Sequence, residues 1–334
     1  MKLNRIFTVI ILTIMYSSQG YSQSVKFNNP IAEQRADPWV HKTDAGEYYL
    51  IATVPEYDRI VIRKAASING LKEAKDKEIW HKHEKGVMGS HIWAPELHRI
   101  DGKWYVYFAA GESENIWNIR IWVLSNASAN PMEGKWTEEG QLKTKRESFS
   151  LDATTFEHNG KRYLIWAQNV RGGNHGTALV LSEMKNPTTL TGPEVVITEP
   201  EFSWEREKYN VNEGPAVIKK NGKIFVTYSA SATNHNYCTG LLWIDEKADL
   251  LNVANWQKSP SPVFSTNDEL KRFGPGHNSF TTSEDGKTTI MIYHARDYKE
   301  IQGNELSDKN RATRARVVEW TESGFPDFIQ NKAD

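Results

Sequence analysis

Four short segments set acidic or imidazole side chains at comparable points of what reads as a repeated strand. They are Ala36-Asp37-Pro38-Trp39-Val40, Leu151-Asp152-Ala153-Thr154-Thr155-Phe156, Asn212-Glu213-Gly214-Pro215-Ala216-Val217 and Gly276-His277-Asn278-Ser279-Phe280. A further copy, Trp93-Ala94-Pro95-Glu96-Leu97, offers an aromatic side chain instead. A purely architectural repeat has no reason to vary its charged groups between copies, and a multivalent sugar-binding repeat would keep them identical. The pattern therefore fits one asymmetric site. Several carboxylates around one pocket suit hydrolysis of a glycosidic bond, in which a protonated acid serves the leaving oxygen while an ionised carboxylate activates water on the opposite face. A third carboxylate nearby keeps the acid protonated through like-charge repulsion. Turn capping by Asp or Glu is the alternative for any one of them, and three such accidents at matched positions make the weaker reading.

The elements that must position these groups come from a search for internal repeats. Five segments share a turn glycine followed by an aromatic or β-branched run, beginning Ala45-Gly46-Glu47-Tyr48, Asp101-Gly102-Lys103-Trp104, Asn159-Gly160-Lys161-Arg162, Asn221-Gly222-Lys223-Ile224 and Asp285-Gly286-Lys287-Thr288. The glycines fall 56, 58, 62 and 64 residues apart. Asp-Gly and Asn-Gly favour the positive φ angles of two-residue hairpins, so each segment predicts strand, tight turn, strand. Four strands in each copy, five times over, predict an all-β, five-bladed β-propeller whose innermost strands begin around one central channel. Asp37, Asp152, Glu213 and His277 would meet there. Helical periodicity is weak except around Ile68 to Glu78.

Residues 1–23 read as a secretory signal, with Lys2 and Arg5 in a short basic start and an apolar stretch from Ile6 to Met15. That stretch is too short to span a bilayer, which takes about 20 residues. The expectation is export into the periplasm or surroundings of a bacterium, with residues 24–334 forming one propeller domain. The sole cysteine, Cys238, excludes an intramolecular disulfide and sits in an expected strand, where the role of a small buried hydrophobe is favoured despite His235 three residues away. Lys and Arg number 41 and Asp and Glu 42, a net charge of −1 without a basic run, so a nucleic-acid partner is not expected. No phosphate-binding loop, dinucleotide fingerprint or nucleophile elbow is present, and His81-Lys82-His83 lacks partners at zinc spacing.

In their order and spacing, the segments around Asp37, Asp152, Glu213, His277 and Asn310-Arg311-Ala312-Thr313 resemble glycoside hydrolase family 43 over nearly the whole of residues 24–334. The resemblance implies Asp37 as general base, Glu213 as general acid and Asp152 as the group that tunes and orients the acid. It also implies that Arg311 binds sugar hydroxyls and the acid–base pair, and that His277 faces calcium or another ion on the axis, touched through water because calcium prefers oxygen ligands. Trp93 is expected to wall the sugar pocket and His91 to hydrogen-bond a ligand, whereas Glu96 is expected to make structural bonds. The stretches Val54 to Ile60, His91 to His98 and Tyr293-His294-Ala295-Arg296-Asp297-Tyr298 are similar to an exo-acting α-L-arabinofuranosidase branch. Plant cell-wall arabinan or arabinose-bearing oligosaccharides are then the implied substrates, cleaved with inversion. A β-xylosidase on the same site and a non-catalytic sugar-binding propeller are the alternatives.

Overall fold

The structure, a computed structural model, describes residues 26–173 and 176–332; the expected secretory segment lies outside them. Five antiparallel sheets stand in chain order as the blades. Their innermost strands are Ala36–Lys42, Ser90–Ile100, Ser150–His158, Asn212–Lys220 and Phe273–Thr282, and each packs against its two neighbours around the ring. The second strands, Tyr48–Thr53, Lys103–Gly111, Lys161–Gln168, Lys223–Ala230 and Thr289–Arg296, are buried almost end to end. A strand covered on both faces by neighbouring blades needs a continuous apolar run, and tyrosine and β-branched residues supply it here.

Apolar packing is divided among the five gaps between blades. Ile60, Leu97 and Trp104 fill the first gap, Tyr107 and Trp166 the second, Ile165 and Val226 the third, Phe225 and Met291 the fourth, and Leu50 and Ile292 the last. The last gap is where the ring closes. Ile31 N–H donates to Thr313 O and Thr313 N–H to Ala32 O, both at 2.8 Å, so the N-terminal segment completes the fifth blade. The Asn29 amide extends that seam, meeting the C=O and N–H of Ala315 at 2.8 Å each.

Three features differ from the sequence expectation. Only the second, third and fourth blades turn in two residues, at Asp101-Gly102, Asn159-Gly160 and Asn221-Gly222, where both residues take positive φ. In the first and fifth blades the ladder ends at Lys42↔Tyr48 and Thr282↔Thr289, so Gly46 and Gly286 sit in longer loops. The fifth blade has three strands of its own and the third has an extra strand, Val195–Thr198. The stretch from Ile68 to Glu78 holds only the 3-10 turn Asn69–Lys72 before the strand Lys77–His81 begins.

Candidate active site

Every inner strand is kinked where it reaches the channel. Asp37, Ala94, Asp152, Gly214 and His277 occupy the kinks with φ between 42° and 54°, and the strand register shifts at each. A bulge of this kind re-aims a side chain out of the regular alternation, and Asp tolerates the left-handed conformation better than most residues. This corrects the expected equivalence: Asp37, Asp152 and His277 share the kink position, while Glu213 precedes it by one residue. The kink in the fourth blade is Gly214, and a Cβ there would lie 3.0 Å from the His277 ring. Gly214 thus frees the space that the imidazole fills.

The kinks bring Asp37, Asp152, Glu213 and His277 onto one cavity of about 620 Å³, which Arg311 enters from the segment just before the strand Ala312–Val317. Trp93, Trp117, Phe149, Tyr209 and Leu306 form its apolar wall. The volume and the mix of few polar groups with aromatic surface are those of a small-ligand site. Asp37 is only 8% exposed. Its Oδ2 accepts from Thr53 Oγ1 at 2.7 Å and its Oδ1 from Arg311 Nη1 at 3.2 Å. Thr53 Oγ1 in turn accepts the Ala94 N–H at 2.7 Å, which ties the first blade to the second beside the carboxylate. His294 Nδ1 accepts the Asp37 N–H at 3.0 Å, so that nitrogen carries no proton, and burial pushes the imidazole down to about 3.

The electrostatics separate the carboxylates. Burial alone would raise Asp37, but the Arg311 guanidinium beside it holds it well below the usual carboxylate range. Arg311 itself, seated against Asp37 and the Tyr57 hydroxyl, stays charged. Glu213 moves the other way. Burial and the Asp37 charge raise it to about 7 against the hydrogen bond from Tyr237 and the charge of Arg311. Asp152 is also raised, by burial and by the charges of Glu213 and Asp37, while its Oδ2 accepts the Gly214 N–H at 3.0 Å. Asp152 and Glu213 are thus both raised as interacting buried acids, beside an ionised Asp37. Exchanging Asp152 for the uncharged Asn should lower the proton affinity of Glu213, so the alkaline limb of the pH–rate profile should move to lower pH. An unmoved limb in that variant would disprove the coupling.

Of the other expected residues, Trp93 lines the cavity, and Glu96 is buried and bonded to His98 Nε2 at 2.9 Å. Cys238 is buried at the start of a strand. His91 lies behind Trp93, ring centroids 4.4 Å apart, with Nδ1 bonded to Ile116 O at 2.8 Å; it faces a neighbouring cavity rather than the carboxylates. Calcium prefers oxygen ligands, so any ion facing the axis here would be met through water by His277. Its Nδ1 lies 3.3 Å from Asp37 Oδ1 and 3.9 Å from Asp152 Oδ2, and no cluster of three or more metal-binding side chains occurs among the described residues. Calcium takes six to eight oxygen ligands, so no chemical step is assigned to an ion here. Sequence reasoning missed Tyr237, whose hydroxyl donates to Glu213 Oε1 at 2.8 Å, and the part played by His294, on which Tyr237 stacks at 5.6 Å.

Comparison with known proteins bears on this arrangement. The profile described as Glycosyl hydrolases family 43 matches residues 27–326. A protein of Streptomyces avermitilis named extracellular exo-α-(1→5)-L-arabinofuranosidase is 52% identical over 332 residues, 97% of this chain and 69% of that protein. One of the same name from Streptomyces chartreusis is 55% identical over 278 residues, 83% of this chain and 85% of that protein. The crystal structure of an α-L-arabinofuranosidase from Lactobacillus brevis superposes with a TM-score of 0.88 at 45% identity, covering 91% of this chain and 96% of that one.

Proposed function

The chain belongs to glycosyl hydrolases family 43, and from that membership we propose that it is an exported, inverting α-L-arabinofuranosidase acting on arabinan or arabinose-bearing oligosaccharides of plant cell walls. It releases terminal α-L-arabinofuranosyl units, as the names of relatives more than half identical to it indicate. Two of those names include the word extracellular, which supports export. No helix among the described residues is long and apolar enough to cross a membrane.

The observation that carries the mechanism is the opposed protonation of two carboxylates on one cavity, Asp37 held ionised and Glu213 held protonated to about pH 7. In this reading Asp37 takes a proton from a water as that water attacks the anomeric carbon. Glu213 gives its proton to the glycosidic oxygen as the bond to the leaving sugar breaks. Asp152 sustains the proton on Glu213, and Arg311 keeps Asp37 ionised and oriented. Trp93 and Trp117 line the space the sugar occupies in this reading.

The test is one substrate panel with product analysis. Turnover of 4-nitrophenyl α-L-arabinofuranoside well above that of the β-D-xylopyranoside, with arabinose alone released from arabinan, is expected. Proton NMR of the first-formed product should show the anomeric configuration opposite to that of the substrate. Preference for the xyloside would make the chain a β-xylosidase, binding without turnover would make it a sugar-binding propeller, and a retained configuration would remove Asp37 from the role of base.

A further inference from the structure

Glu213 has two carboxyl oxygens, and only one of them can deliver the proton. Oε1 is already engaged by the Tyr237 hydroxyl at 2.8 Å. Tyr237 is 1% exposed and held on every side. Its ring stacks nearly parallel, at 7°, on His294, the imidazole that receives the Asp37 N–H. Close to the hydroxyl lies Ser229, whose Oγ accepts the His277 N–H at 2.7 Å. Against one edge of the ring lies Gly276, one residue before the fifth kink and so at the position that Glu213 holds in the fourth inner strand. A Cβ on Gly276 would come within 2.7 Å of the Tyr237 Cδ1 and Cε1 atoms. One inner strand thus carries the acid, and the next gives up its side chain so that a tyrosine can reach that acid.

Taking Glu213 as the acid proposed above, we infer that Tyr237 is a positioning residue that commits Oε1 and leaves Oε2 as the oxygen that delivers the proton. As the glycosidic C–O bond breaks, its electron pair stays on the departing oxygen, which takes the proton from Oε2. Water completes the substitution and passes its own proton to Asp37. Glu213 is then an anion, and a hydroxyl donating to a carboxylate binds it more strongly than it binds the neutral acid. The tyrosine therefore contributes more at the transition state than in the ground state, which raises kcat rather than lowering KM. The other groups facing this pair are Asp37 and Asp152 from the first and third inner strands, His277 from the fifth, and Arg311 from the segment leading into the strand Ala312–Val317. Tyr237→Phe leaves all of them in place.

The Tyr237→Phe enzyme keeps the ring stack and should fold. Its kcat on arabino-oligosaccharides should fall on the order of ten- to a hundred-fold, the worth of one hydrogen bond to a charged group, with KM little changed. Turnover of 4-nitrophenyl arabinofuranoside, whose leaving group needs little protonation, should fall far less. Losing a donor to the carboxylate raises the acid's pKa, so the alkaline limb should move to higher pH by about one unit. Gly276→Ala, which displaces the ring, should show the same signature. In a Glu213→Ala background, Tyr237→Phe should add no further loss. Equal losses on both substrates with an unmoved limb, or a full additional loss in the Glu213→Ala background, would overturn the role of Tyr237. If Glu213→Ala itself leaves oligosaccharide turnover intact, the assignment of the acid fails instead.

Discussion

Replacing Asp37 should cost roughly three to four orders of magnitude in kcat on every substrate, activated or not, because general-base and positioning contributions disappear together. The leaving group does not enter this loss, since the water must be deprotonated whatever departs. The loss and the fold must be read apart. Asp37 is buried and its Oδ1 sits 3.2 Å from Arg311, whose side chain is also buried. Alanine at this position leaves a buried guanidinium without its counter-charge, which is strongly destabilising. Asp37→Ala should therefore melt at a lower temperature. Asp37→Asn keeps an acceptor for Thr53 and Arg311 and is the cleaner kinetic variant. A small anionic nucleophile such as azide, which needs no deprotonation, should restore turnover in Asp37→Ala by entering the vacated space, and the glycosyl azide formed should be inverted. A mutant that keeps a tenth of the wild-type rate on both classes of substrate would exclude Asp37 as the base.

The position of Asp37 was legible in the sequence for a physical reason. A blade repeats because each gap between blades demands the same apolar strands, so a charged residue recurring at one point of that frame must be where the frame meets solvent or a ligand. The same logic found Asp152 and His277. It placed Glu213 in register with them because the kinks themselves are invisible in residue types: Asp, Ala, Gly and His all adopt them here. The turn lengths of the first and fifth blades escaped for a related reason, since Asp-Gly permits a tight hairpin without requiring one. Tyr237 escaped because it belongs to no repeat; it arrives from the loop just before the strand Cys238–Asp245. Its one sequence signal was Gly276, a glycine inside a strand, which marks close approach by another group. His294 lies in a second strand among Tyr293, Ala295 and Arg296, where a buried histidine reads as core until its partner on the adjacent first blade is known.

Removing the acid should produce a different signature from removing the base. Glu213→Ala should lower kcat on arabino-oligosaccharides by roughly two to four orders of magnitude, while an aryl arabinofuranoside with a good leaving group loses about tenfold or less. The alkaline limb expected for the wild type, set by an acid raised to about 7, should vanish from the aryl-substrate profile because no proton donor remains to titrate. Stability supplies a second, independent readout. The ordinary value for a glutamate is 4.5, so the folded protein binds a proton at Glu213 more tightly than the unfolded chain does. That contribution is fully present below 4.5 and is lost as pH rises through about 7. Above that range the folded wild type must bury an additional negative charge beside Asp37 and Asp152, a cost that Glu213→Gln removes. The glutamine enzyme should therefore lose less of its melting temperature than the wild type between pH 5 and pH 8, although it is the poorer catalyst. Such an exchange of stability for activity is expected where a buried acid is kept ready to ionise. Equal kinetic losses on activated and unactivated substrates, together with parallel melting curves across that pH range, would show that Glu213 neither donates the proton nor carries the raised pKa.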